Sequence, residues 1–216
     1  MALQARAEAT RRRIIDSAVE LFSELGYGET GLADVLQRAG VSKGAFYYHF
    51  DSKEAVATAI MEEYSQKVAN ASRRTYFGGE PTLADVIRST FKSAEIVQTD
   101  PVAQVGHQLM QALGQISTTA ANVYSQWTTN FTSLLEKAIG GWRLRDGVHA
   151  GDVAEGMWAC IVGSHLISTA MGDDVFARLA RSWRLTVQLV TPEDLVTPLM
   201  AELDQIVADY RAPVAS

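Results

Sequence analysis

Residues 30–54 read TGLADVLQRAGVSKGAFYYHFDSKE. Leu32, Val35 and Leu36 recur at helical spacing, so a short helix is expected there, capped by Thr30. Ala39-Gly40-Val41-Ser42 follows: a glycine for a sharp turn, a valine to anchor it, and a serine placed to cap the next helix. The spacing predicts that next helix from Lys43 to about Tyr48, with Phe46 and Phe50 as a core pair. Two short helices joined by a tight glycine turn form a helix-turn-helix pattern.

The flanks extend the same reading. Upstream, Ile14, Ile15, Ala18, Leu21, Phe22 and Leu25 define a helix from Thr10 to Leu25, stopped by Gly26. Downstream, Asp51 with Glu54 reads as a capping box for a long fourth helix ending near Arg73, before Gly78 and Gly79. Later helices are expected to open at Thr82 with Asp85, at Pro101, at Asp152 with Glu155, and at 191–194. Residues 114–121, rich in Ser, Thr and Ala, read as a loop, and 140–151 as a second irregular stretch. No alternating β-branched run is sustained. The expected fold is all-α, with nine or ten helices.

The second helix of the pattern has the chemistry of a helix that enters a DNA major groove. Ser42 is placed to cap it, and Lys43, Gly44 and Ala45 combine one donor with two residues small enough for close approach. Lys43 and Tyr47 are expected to approach base edges, while Thr30, Tyr48, His49 and Lys53 hold backbone phosphates. A net charge of −6 does not oppose this. Residues 1–53 hold seven Lys or Arg and seven Asp or Glu, so all the excess acid lies beyond them. Arg6, Arg11, Arg12 and Arg13 supply a local basic cluster near the start.

The string 30–54, with RRRIIDSAVELFSELGY before it, closely resembles the N-terminal signature of the TetR family of repressors. The resemblance implies a three-helix DNA-binding domain at 1–50 and an effector-binding and dimerisation domain at 51–216. It also implies a fourth helix that couples the two, and a homodimer made through the last long helices. Broad apolar faces in residues 152–171 and 175–189 suit a helix bundle between two subunits, and Gly156 and Gly163 would admit a neighbouring helix.

Three short pieces resemble the γ-butyrolactone receptor branch of that family: IVQTDPV at 96–102, Gln126-Trp127 with Phe131, Leu134 and Leu135, and Ile161-Val-Gly-Ser. That resemblance implies a small-molecule effector against Trp127. Tyr64, Phe91, Gln104, Gln108, Leu109, Asn130, Phe131, Trp158, Ile161 and Val162 are the other candidate lining residues, offering apolar walls and a few polar groups. Two other readings stay open: a similar regulator without a small-molecule ligand, and a helical enzyme using a cavity in the body.

Other classes have little support. Four dispersed histidines, no paired cysteines, no P-loop and no Gly-x-Ser-x-Gly elbow leave no expected catalytic or metal site and no cofactor. Cys160, the single cysteine, excludes a disulfide within the chain, suits a reducing cytoplasm, and reads as a buried apolar residue. Neither a secretory signal nor a membrane span is expected: the longest apolar stretch, 157–171, is interrupted and falls short of the ~20 residues a span needs.

Overall fold

A computed structural model describes residues 2–75, 81–113, 118–140 and 144–211. The described residues form ten α-helices and no strand. These are α1 (Ala2–Leu25), α2 (Leu32–Ala39), α3 (Lys43–His49), α4 (Lys53–Thr75), α5 (Leu83–Thr99), α6 (Pro101–Leu113), α7 (Thr118–Gly140), α8 (Ala150–Met171), α9 (Val175–Val190) and α10 (Glu193–Arg211). The chain forms two compact units, residues 1–67 with 97–124, and residues 68–96 with 125–216.

Local chemistry accounts for most helix ends. Gly40 sits in the left-handed region at φ 62°, which L side chains seldom adopt, and so ends α2 sharply. The Val41 N–H then reaches back to the Leu36 carbonyl at 3.2 Å, closing the turn. Ser42 caps α3 by accepting the Ala45 N–H at 3.1 Å, as expected. Thr82 and Asp85 form a reciprocal box at the start of α5, each accepting the other's N–H at 3.2 and 3.0 Å. Asp100 caps α6 through the Ala103 N–H at 3.0 Å.

Several expected boundaries move. Gly31, not Thr30, is the N-cap of α2, and Asp34 reaches back to accept the Gly31 N–H at 2.8 Å. Ser52 rather than Asp51 caps α4, accepting the Ala55 N–H at 3.0 Å. α1 begins at Ala2 instead of Thr10. The segment read as a loop over 114–121 is helical from Thr118, because Ser, Thr and Ala accept helical geometry when the following turns are packed. α8 starts at Ala150 behind His149, so Asp152 lies in its first turn and does not cap it. The expected glycine interruption at 78–79, residues 114–117 and 141–143 lie outside the described residues.

In the first unit α1 packs on α2, α3 and α6. Ile14, Ile15, Ala18, Leu21, Phe22, Val35, Phe46 and Phe50 are buried there. The second unit closes around Leu135, Met157, Leu179, Trp183, Val187, Leu203 and Ile206, with α9 packed against both α8 and α10. Phe91, Phe176 and Tyr210 stack together, with ring centroids 5.7 to 6.2 Å apart. Cys160 is exposed, contrary to its sequence reading, because α8 buries Ala154, Met157, Ile161, Ser164 and His165 on a different face.

Candidate nucleic-acid interface

α3 is short, and only its inner face is anchored. Phe46 is fully buried and lies 6.0 Å from the Phe50 ring, forming the expected core pair. Anchoring through Phe46 and Phe50 turns the remaining positions outward. Ser42, Lys43 and Gly44 are exposed, Ala45 and His49 half-buried. Tyr47 and Tyr48 keep 46% and 78% of their surface open, high values for large aromatic residues. The Lys43 ammonium lies 5.9 Å from the Tyr47 ring centroid, and the His49 ring meets the edge of Tyr48 at 4.9 Å. The result is a short helix whose exposed residues include one cation, a glycine and two tyrosines.

Two residues assigned to phosphate are used elsewhere. Thr30 is buried, and its hydroxyl donates to the Gly26 carbonyl at 2.8 Å, satisfying an otherwise orphaned group where α1 ends. Lys53 donates to the carbonyls of Tyr27 and Thr30 at 2.8 and 2.7 Å, and its ammonium stands 4.2 Å over the Tyr27 ring. Both therefore hold the α1–α2 connection. Arg38 is engaged as well, pairing with Glu20 at 3.1 Å and Glu24 at 2.9 Å. Arg11 lies 5.3 Å over the Phe50 ring, and Arg12 pairs with Asp16 and Glu63.

The candidate effector residues divide between the two units. In the first, Tyr64 and Leu109 are buried, and Gln104 and Gln108 are exposed. The Tyr64 hydroxyl is 3.2 Å from His107 Nδ1, and the other ring nitrogen of His107 is 3.0 Å from the Gln111 amide. His107 and Gln111 were missed in the sequence, although their i, i+4 spacing was readable; their tie to Tyr64 depends on how α4 and α6 cross. In the second unit, Phe131 and Trp158 stack at 5.0 Å, and Phe91 belongs to the cluster with Phe176 and Tyr210. Ile161 is buried, Trp127 and Val162 are half-buried, and Asn130 is exposed. Burial lowers the His165 pKa to about 4, so its ring stays neutral. Among the described residues, no group of three or more His, Cys, Asp or Glu could hold a metal ion, and no helix is long and apolar enough to cross a membrane.

An outward-facing second helix behind a glycine turn, on an otherwise all-helical chain, defines a helix-turn-helix protein with a helical C-terminal body. Residues 14–60 match the family described as bacterial regulatory proteins, tetR family. That segment is an N-terminal domain of this family. Over 68 aligned residues the chain is 50% identical to the A-factor receptor protein of Streptomyces griseus, covering 32% of this chain and 25% of that one, so the match spans about a quarter of the relative's length. The fold is similar over far more of the chain to a γ-butyrolactone receptor described as an ArpA-like protein, with TM-score 0.75, 27% identity, and 94% and 99% of the two chains covered. CprB from Streptomyces coelicolor, solved in complex with its biological operator sequence, is similar at TM-score 0.73 and 27% identity over 93% and 98% of the chains.

Proposed function

We propose that this chain is a homodimeric transcriptional repressor that binds a pseudo-palindromic operator in double-stranded DNA and is released by a small-molecule effector of the γ-butyrolactone type. The outward face of α3 carries the proposal. Lys43, Gly44, Tyr47 and Tyr48 project from a helix locked underneath by Phe46 and Phe50, which is the arrangement a major-groove reader needs. Lys43 and Tyr47 take base edges, and Ser42, Ala45, Tyr48 and His49 lie where backbone contacts form. Residues 1–50 act as the DNA-binding domain and 51–216 as the effector and dimerisation domain.

The similarity of fold to a γ-butyrolactone receptor over 94% of the chain supports the effector class. Trp127, half-buried beside Thr128 and Phe131 on α7, is the residue we assign to that ligand. The dimer is supported by the apolar side chains that one chain leaves open: Leu166, Ile167 and Met171 on α8, and Leu185 and Leu189 on α9. Two recognition helices would then stand one DNA turn apart, roughly 34–36 Å. Effector binding would favour a state in which that spacing is lost, to an extent set by its differential affinity for the two states.

The test uses a duplex recovered by the full-length protein from a random-sequence pool. Lys43→Ala and Tyr47→Ala are each expected to cost about 1–3 kcal/mol of sequence-specific binding, with melting unchanged. Thr30→Val is expected to lose stability instead, since it orphans a carbonyl. Unchanged binding by both α3 variants would defeat the assignment. Addition of a γ-butyrolactone should dissociate the wild-type complex and leave the Trp127→Ala complex bound. If none of a panel of γ-butyrolactones releases the wild type, the chain regulates without this effector class.

A further inference from the structure

Charges of alternating sign join three helices of the first unit. Arg12 on α1 donates to Asp16 Oδ1 from Nε at 2.7 Å and from Nη2 at 2.5 Å. Its Nη1 donates to Glu63 Oε2 on α4, also at 2.7 Å. Glu63 Oε1 stands 3.8 Å from the ammonium of Lys67, one turn further along α4. Lys67 contacts Asp100 Oδ2 directly, and the other oxygen of Asp100 caps α6. The order Asp16–Arg12–Glu63–Lys67–Asp100 therefore runs from α1 across α4 to the N-terminus of α6.

Such a chain differs from an isolated surface pair. Glu63, Asp100 and Lys67 keep 28%, 31% and 34% of their side-chain surface, so water screens them only in part. Each inner member touches charges of opposite sign on two sides, which restricts the geometry more than a single pair can. Burial alone would raise the Asp100 carboxyl, yet Lys67 and the Ala103 N–H together hold it below the usual carboxylate range. Arg12 also lies on the helix that packs against both α2 and α3. Three of its five N–H groups, one each on Nε, Nη1 and Nη2, are engaged with carboxylates, which already neutralise its charge.

We propose that Arg12 is a positioning residue for DNA binding, the α1 cation of a charge brace that sets α1, and through it α3, against α4 and α6. Arg12 thereby leaves the basic cluster that contacts DNA. The proposal rests on the reading above that α3 enters the groove.

The experiment compares the full-length wild type with Arg12→Met, Glu63→Gln, Asp100→Asn and the pairwise doubles. Affinity for the pool-selected duplex is followed across a salt series. Arg12→Met is expected to weaken binding about tenfold, the scale of coupling within one charge network. The slope of log affinity against log salt should stay at its wild-type value, whereas loss of a phosphate contact would make it shallower by about 0.9. Arg12→Met with Glu63→Gln should bind no more weakly than Arg12→Met alone. A shallower slope or additive losses would overturn the proposal. Amide exchange along α1 reads the brace without DNA: Arg12→Met and Asp100→Asn should each reduce protection there, non-additively, although the two residues do not touch. If the wild type binds no duplex, the functional reading fails. Unchanged α1 protection in both variants defeats the brace.

Discussion

The indole N–H of Trp183 on α9 donates to the Thr90 hydroxyl oxygen on α5 at 2.9 Å, across 93 residues of sequence. The Thr90 hydroxyl in turn donates a hydrogen bond to the Ile87 carbonyl at 2.7 Å, so both polar groups are satisfied although both residues are buried. Trp183 can sit at the centre of the second unit's core because this one polar handle is paired.

Thr90→Val removes the acceptor but keeps the shape, leaving the indole N–H buried and unpaired. The expected cost is about 1–3 kcal/mol, read as a lower urea midpoint. Adding Trp183→Phe to Thr90→Val should recover part of that loss, because the orphaned donor disappears. A double variant less stable than Thr90→Val by the full cost of Trp183→Phe would show that the bond contributes nothing.

Gly106 on α6 has room for nothing larger. A Cβ there would stand 2.6 Å from Tyr64 Cβ and 3.1 Å from the Ile60 carbonyl oxygen, a backbone atom that cannot swing aside. Gly106→Ala should therefore destabilise by about 1–3 kcal/mol through overpacking, despite the better helix propensity of alanine. It should also disturb the Tyr64–His107 contact, visible as a shifted His107 ring resonance. A melting temperature at or above the wild-type value would contradict the close crossing of α4 and α6.

Gly156 and Gly163 give the opposite expectation. In a single chain an added Cβ meets nothing within 4 Å at either position, so each could be alanine with a gain of about 1 kcal/mol in helix propensity. On a face that a second copy covers, the same methyl groups should weaken the dimer. Leu185→Arg with Leu189→Arg should give a helical monomer by light scattering, since both side chains are more than half open in one chain. A persisting dimer would place the contact elsewhere.

His165 makes stability depend on pH. Its folded pKa is lowered by burial to about 4, from an ordinary value of 6.5. As pH falls, the unfolded chain takes up this proton first, so the contribution is complete above about 6.5 and is lost on the way down through about 4. The full loss is on the order of 3 kcal/mol. His165→Gln should flatten the urea midpoint across that window. An equally steep fall in the variant would assign the dependence to another group.

The readable part of this protein is the part written within four residues. Phe46 with Phe50, Ser42 capping Ala45, the Thr82–Asp85 box and the turn at Gly40 each depend on bonds or packing inside one helical turn, so residue order alone determines them. The outward set on α3 follows directly, because burying Phe46 and Phe50 leaves Lys43, Tyr47 and Tyr48 no other direction. Partners chosen between helices were not readable. Lys53 turned to the Tyr27 and Thr30 carbonyls of the α1–α2 connection, Arg12 joined Glu63, Cys160 stayed exposed, and Trp183 found Thr90.

Each of those outcomes depends on which helix lies opposite, and burial and unsatisfied backbone groups set that only when the chain closes on itself. Sequence alone determined the helix-turn-helix and the exposed face that reads DNA in our proposal. Tertiary structure decided which basic and hydroxyl groups remain free for that face, because charged and polar side chains go first to the nearest buried group that needs a partner.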